Sequence, residues 1–166
     1  MPATHGDRAK LGALLAVAVL FICGCMKTEV FPPEPAIKFK SFSQFSDSAS
    51  LTISFVDGDG DIGLNDGDTL APFNVDPYKY NLYLDYDTMA NNVWHRVTFA
   101  TALQYRIPRI TPTGQNKTLD GEVAVALPWP FFLDGLRDTA RFTVRLYDRA
   151  LHVSNSVVSE TIYIDP

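Results

Sequence analysis

Apolar residues fall at every second position through most of this chain, and that period constrains the fold more than any motif does. Leu51, Ile53 and Phe55 alternate with Thr52 and Ser54, and Tyr80, Leu82, Leu84 and Tyr86 alternate with Asn81, Tyr83 and Asp85. Ile37 and Phe39 do the same with Lys38 and Lys40. A period of two belongs to a strand with one buried face, and no stretch after the first 25 residues holds a helical repeat over three turns. Further strands are predicted at residues 93–99, 105–110, 122–127, 140–147 and 157–164, separated by turn-rich pieces such as TPTGQN at 111–116. Eight short strands predict an all-β domain in which the inward residues of two antiparallel sheets fill one core. The chain has 166 residues, 46% of them hydrophobic, enough for one such core but not two, and too apolar for wholesale disorder. A net charge of −5 with no basic stripe excludes an electrostatic nucleic-acid binder, which needs cations to displace phosphate counterions.

The N-terminus has a separate logic. Arg8 and Lys10 precede an uncharged run at 11–22, LGALLAVAVLFI, shorter than the roughly 20 apolar residues of a comfortable membrane span. Ile22-Cys23-Gly24-Cys25 follows at once and resembles the lipobox of bacterial lipoproteins. That resemblance implies a leader at 1–24 and lipidation of Cys25; Cys23 fits badly, because it would put Ile22 at a position reserved for a small residue. Several acyl chains make a permanent membrane anchor. Met26, where an aspartate would resemble the inner-membrane retention signal, implies the outer membrane, with the periplasmic or surface face left open. One cysteine leaves with the leader and the other carries lipid, so no disulfide is expected in the mature chain. Residues 25–36, with Pro32, Pro33 and Pro35, are predicted as an extended spacer, and 37–166 as the domain.

The stretch DTARFTV at 138–144 resembles the start of strand F in immunoglobulin-like and fibronectin-type domains. Phe142 stands where those domains place a corner tyrosine, and Val144 where true immunoglobulin domains carry a cysteine. Residues 148–155, DRALHVSN, resemble the D-x-A-G-N-x-S turn that follows in such modules, with Leu151 and His152 in place of the glycine and asparagine. The resemblance implies an immunoglobulin-like sandwich of about seven to eight strands. It implies almost nothing about function, since sandwiches host many unrelated roles.

The sharpest chemical feature is VDGDGDIGLNDGD at 56–68, five aspartates with no base among them. Carboxylates held this close repel unless a cation neutralises them, and calcium, which takes six to eight oxygens, is the natural partner. Asp57, Asp59 and Asp61 have the 1, 3, 5 spacing of an EF-hand loop, with Asn65 at position 9 and Asp68 at position 12. Ile62 holds position 6, where that loop needs glycine, and the flanks read as strand and proline-broken loop instead of helices. The segment is therefore more similar to the D-x-D-x-D calcium loops of thrombospondin-type and dockerin-type repeats and of calcium-dependent sandwiches. Calcium is expected at Asp57, Asp59, Asp61, Asn65 and Asp68, in a structural and not a catalytic role, with a solvated loop whose aspartates cap their own turns as the alternative.

His5, His95 and His152 show no metal spacing, and no nucleophile elbow, zinc motif or phosphate loop occurs. Enzymatic activity is not expected. Trp129, Phe131 and Phe132, in PWPFF, form a candidate platform for a glycan or protein ligand, or fold over an open end of the sandwich. Taken together the chain resembles bacterial outer-membrane lipoproteins with a DGDGDIG loop. The expected role is a membrane-anchored, non-enzymatic binding or structural module, with carbohydrate recognition around Trp129 as the alternative.

Overall fold

A computed structural model describes residues 31–110, 112, 114–128 and 139–164. Cys25, Trp129, Phe131 and Phe132 lie outside the described residues.

The described strands are β1 (Ala36–Gln44), β2 (Ser48–Asp57), β3 (Leu82–Ala90), β4 (Val93–Val97), β5 (Leu103–Tyr105), β6 (Leu119–Pro128), β7 (Thr139–Leu146), β8 (Val157–Val158) and β9 (Ile162–Tyr163). All pairings are antiparallel. One sheet has the order β1-β2-β6; the other runs β4-β3-β7-β8, with β5 also on β3 and β9 also on β7. Two antiparallel sheets, with β2 inside the smaller and β7 inside the larger, make an all-β sandwich.

Period-two patterning builds the core. Ala49, Leu51, Ile53 and Phe55 of β2 face Leu82, Leu84 and Tyr86 of β3 and Ala140, Phe142, Val144 and Leu146 of β7 in one buried cluster. Phe142 is fully buried, stacked on Phe42 at 5.8 Å between ring centroids and tilted against Tyr86 at 5.1 Å. Val144 is equally buried.

Several strand limits differ from those predicted, each for a local reason. The strand predicted at 105–110 is at Leu103–Tyr105 instead. Beyond Tyr105 the chain answers to a side chain: buried Asn81 accepts a hydrogen bond from the Ile107 N–H at 2.6 Å, and Pro108 has no N–H to extend a ladder. The single strand predicted at 157–164 splits into β8 and β9, because the Ser159 hydroxyl accepts the Phe142 N–H at 2.9 Å in place of a backbone carbonyl. These changes bring the described strands to nine, where seven to eight were expected. The two-residue turn between β3 and β4 uses Asn91 and Asn92, both left-handed (φ 51° and 60°), the geometry that suits a twisted hairpin.

The turn after β7 keeps a left-handed residue at its glycine position, but here it is Leu151, with φ 73°. A side chain in that region costs about 1 kcal/mol. Leu151→Gly is therefore expected to raise stability by up to about 1 kcal/mol, a gain of a few degrees in a thermal melt. A lower melting temperature would mean that the half-buried leucine contributes more by packing than its backbone costs.

Candidate metal site

Strand parity delivers the site. On β2 the buried positions are 49, 51, 53 and 55, and the next in that series is Asp57, fully buried at the strand's last residue. On β7 they are 140, 142, 144 and 146, and the next is Asp148, 3% exposed. The central strands of both sheets thus carry their inward series one step past the apolar core and end on carboxylates. Asp57, Asp59, Asp61 and Asp148 bring one carboxylate oxygen each to within 4.8 Å of one another, a group that could hold a metal ion.

The loop after β2 is folded to make this convergence. Asp57 Oδ2 accepts the Asp61 N–H at 2.9 Å, closing a tight turn over residues 57–61. Gly60 sits within that turn at φ 71°, where an added Cβ would lie 1.8 Å from the Lys117 carbonyl oxygen, so a side chain is excluded on two grounds. Past the turn, Ile62 is fully buried and bridges Asp148, while the Ile110 N–H donates to the Ile62 carbonyl at 3.1 Å. Ile62, the residue that departs from the EF-hand pattern, is the plug that carries the chain from one sheet to the other. Opposite it, the Arg149 N–H donates to Asp61 Oδ1 at 3.3 Å. Asp148 is held from behind by its own turn: Oδ1 accepts the His152 N–H at 2.8 Å, and Oδ2 lies 2.8 Å from His152 Nδ1.

One oxygen has no partner. Asp57 Oδ1 is buried and makes no hydrogen bond, although a bare buried carboxylate oxygen costs several kcal/mol. Burial, reinforced by the neighbouring carboxylates of Asp59, Asp61 and Asp148, pushes the Asp57 carboxyl up to about 6 despite the hydrogen bond from Asp61. Asp61 is raised by burial and by Asp59, and Asp148 is raised by burial against the pull of His152. The His152 imidazole is raised in turn, chiefly by its hydrogen bond to Asp148. Four carboxylates gathered this closely, one of them with a buried and unpartnered oxygen, form a pocket that a cation would relieve.

Asp68, predicted as a ligand, is not among the four carboxylates of this cluster. Asp68 is paired with Arg149, whose guanidinium also lies 5.0 Å from the centre of the Phe73 ring. Hydrogen bonds from Arg149 and from the Asn65 N–H hold the Asp68 carboxyl below its usual range. Arg106 donates to the carbonyl oxygens of Asn65 and Asp68 at 2.9 and 3.1 Å, locking this half of the loop elsewhere. The reason is burial: Ile62 and Leu64 (0% and 3% exposed) pin the chain between the two halves, so it cannot curl back around one point. Spacing within the acidic segment could not point to Asp148. The signal that finds it is the parity of β7 extended by one residue.

A second charged group covers the outer face of the larger sheet. Asp87 lies between Arg96 and Arg141 at 2.6 and 3.1 Å, and Arg141 stacks on the Trp94 ring at 4.4 Å. Burial works to raise the Asp87 carboxyl, and the two guanidinium hydrogen bonds outweigh it and bring it below the usual value. Each acid there has a base, which is the difference from the four-aspartate cluster. Among the described residues no helix is long and apolar enough to cross a membrane. Comparison with protein-family models, with curated proteins and with solved structures finds no match to any of them.

Proposed function

We propose that this chain is a lipid-anchored lipoprotein of the bacterial outer membrane, attached through Cys25. Its sandwich is closed at one end by calcium bound to Asp57, Asp59, Asp61 and Asp148, and it serves as a non-enzymatic binding or structural module of the envelope. The observation that carries the reading is the buried, unpartnered Asp57 oxygen among three other carboxylates. Two full negative charges about 4–5 Å apart repel by roughly 3–4 kcal/mol at an effective dielectric constant of about 20, so a divalent cation between them has much to relieve. The choice of calcium rests on the donors. They are all oxygens, which disfavours metals that want imidazole or thiolate. They come from the end of β2, the loop that follows it and the turn after β7, and carboxylates from separate segments suit calcium's adaptable six to eight positions better than magnesium's strict octahedron. A cation bridging the ends of β2 and β7 would fasten the central strands of the two sheets together, a structural role that needs no reactive cleft.

The test is a thermal melt of the full chain in detergent, in millimolar calcium and again in chelator. At a calcium concentration about 100 times the dissociation constant the stabilisation is about 2.7 kcal/mol, several degrees in melting temperature. Asp59→Asn combined with Asp61→Asn should abolish the difference. Coincident melts of the unmutated chain would overturn the proposal.

A further inference from the structure

The loop that carries the carboxylates also holds the residues predicted as spacer. The Gly58 N–H, between Asp57 and Asp59, donates to the Pro32 carbonyl at 3.0 Å. The approach is too close for any side chain: a Cβ on Gly58 would lie 2.3 Å from the carbonyl oxygens of both Phe31 and Pro32. Three residues on, Pro35 is buried, and the start of β1 is fixed by Asn155, whose side chain accepts the Ile37 N–H at 2.8 Å and donates to its carbonyl at 2.9 Å. Phe31, Pro32 and Glu34 line a groove with Phe55, Val56 and Asp120, beside the strand end that terminates in Asp57. The spacer's attachment and the candidate metal ligands therefore share one short piece of backbone, with Gly58 as their common residue.

We infer that cation binding at Asp57, Asp59, Asp61 and Asp148 and docking of Phe31–Pro35 against Gly58 are one coupled equilibrium. This rests on the calcium reading above and adds a consequence for the anchor. The peptide plane of Gly58 is set by the aspartates on either side of it, and a cation that fixes those aspartates fixes the N–H aimed at Pro32. Coupling is reciprocal, so a docked spacer tightens the cation by the same factor by which the cation tightens the docked spacer. With the spacer docked, residues 26–30 separate Cys25 from the domain, a reach of at most about 17 Å; with it released, residues 26–36 do, and the reach rises to about 37 Å. Calcium then sets how far the sandwich can stand from the lipid.

The experiment uses the full chain in detergent and reads backbone order parameters at Phe31 and Glu34 by NMR relaxation, with calcium binding measured by calorimetry on the same samples. In calcium both amides are expected near the rigid value of about 0.85, and in chelator below about 0.6, while Ile37, held by Asn155, stays rigid in both. Gly58→Ala, which leaves every carboxylate in place, is expected to show mobile Phe31 and Glu34 with or without calcium, and to bind calcium at least five-fold more weakly. Should that variant fail to fold, Pro35→Gly, which removes the buried ring of the docked segment, is expected to give the same two results. Calcium binding with Phe31 and Glu34 equally rigid in chelator, or wild-type calcium affinity in a variant whose spacer is mobile, would overturn the coupling and leave the metal site standing. No calcium binding by the unmutated chain would overturn the site itself.

Discussion

With calcium removed, Asp57→Asn is expected to be more stable than the unmutated chain at pH 7, by up to about 3 kcal/mol. The figure follows from a carboxyl whose pKa is near 6 in the folded chain against an ordinary value of 3.8. Between those two values the folded state holds a proton that the unfolded state has released, so stability falls as pH rises through that window. Below about pH 4 the cost is absent; above about pH 7 it is complete. Asp61 and Asp148 are raised in the same direction and add to the effect. An amide at position 57 can still accept the Asp61 N–H through its oxygen, and its NH2 faces carboxylates that would accept from it. It removes the charge without opening a cavity. The same substitution should erase the stabilisation by calcium, so the variant gains in chelator and loses in calcium. Denaturant melts at pH 7 and pH 5 in chelator make the measurement. The unmutated chain is expected to gain about 1 kcal/mol at pH 5 from Asp57 alone, while Asp57→Asn gains less by that amount. A variant less stable than the unmutated chain in chelator at pH 7, with no pH-dependent difference between the two, would mean that Asp57 is not a strained carboxylate.

How far the sequence carries is set by the range of the interactions involved. Alternation along β2 and β3 is local, and it identifies Leu51, Ile53, Phe55, Leu82, Leu84 and Tyr86 as inward residues, which the core confirms. The strand predicted at 140–147 is found at Thr139–Leu146. Misplaced limits, at 105–110 and 157–164, arise where side-chain hydrogen bonds between separate segments, Asn81 to Ile107 and Ser159 to Phe142, replace those that a ladder would otherwise supply. The candidate metal site divides in the same way. Asp57, Asp59 and Asp61 are brought together by a turn of five residues, which spacing can describe. Asp148 is 91 positions beyond Asp57 and joins them only because two sheets face each other, so no pattern within the acidic segment contains it. Asp68 matches a loop template in spacing and is lost to Arg149, a partner 81 residues away.

That exchange of Asp68 for Asp148 makes a pair of substitutions decisive. Asp148→Asn is expected to weaken calcium binding about a hundred-fold, equivalent to about 2.7 kcal/mol, while leaving the turn after β7 in place. The amide oxygen can keep the bond from the His152 N–H, and its NH2 can donate to Nδ1 of a neutral His152, so both contacts that Asp148 makes to the turn are reproduced. The negative charge contributed by the larger sheet is what disappears. Asp68→Asn is expected to do the opposite. It removes an ion pair with Arg149 whose side chains are 20% and 18% exposed, at a modest cost in stability, and leaves calcium affinity unchanged within about two-fold. Were the acidic segment a self-contained twelve-residue loop, the two results would be interchanged, because its last position would supply a ligand and nothing outside it would matter. Calorimetric titration of both variants separates the two arrangements. A strong loss of affinity in Asp68→Asn with none in Asp148→Asn would place the cation within the loop, and a loss in Asp148→Asn alone would place it between the sheets.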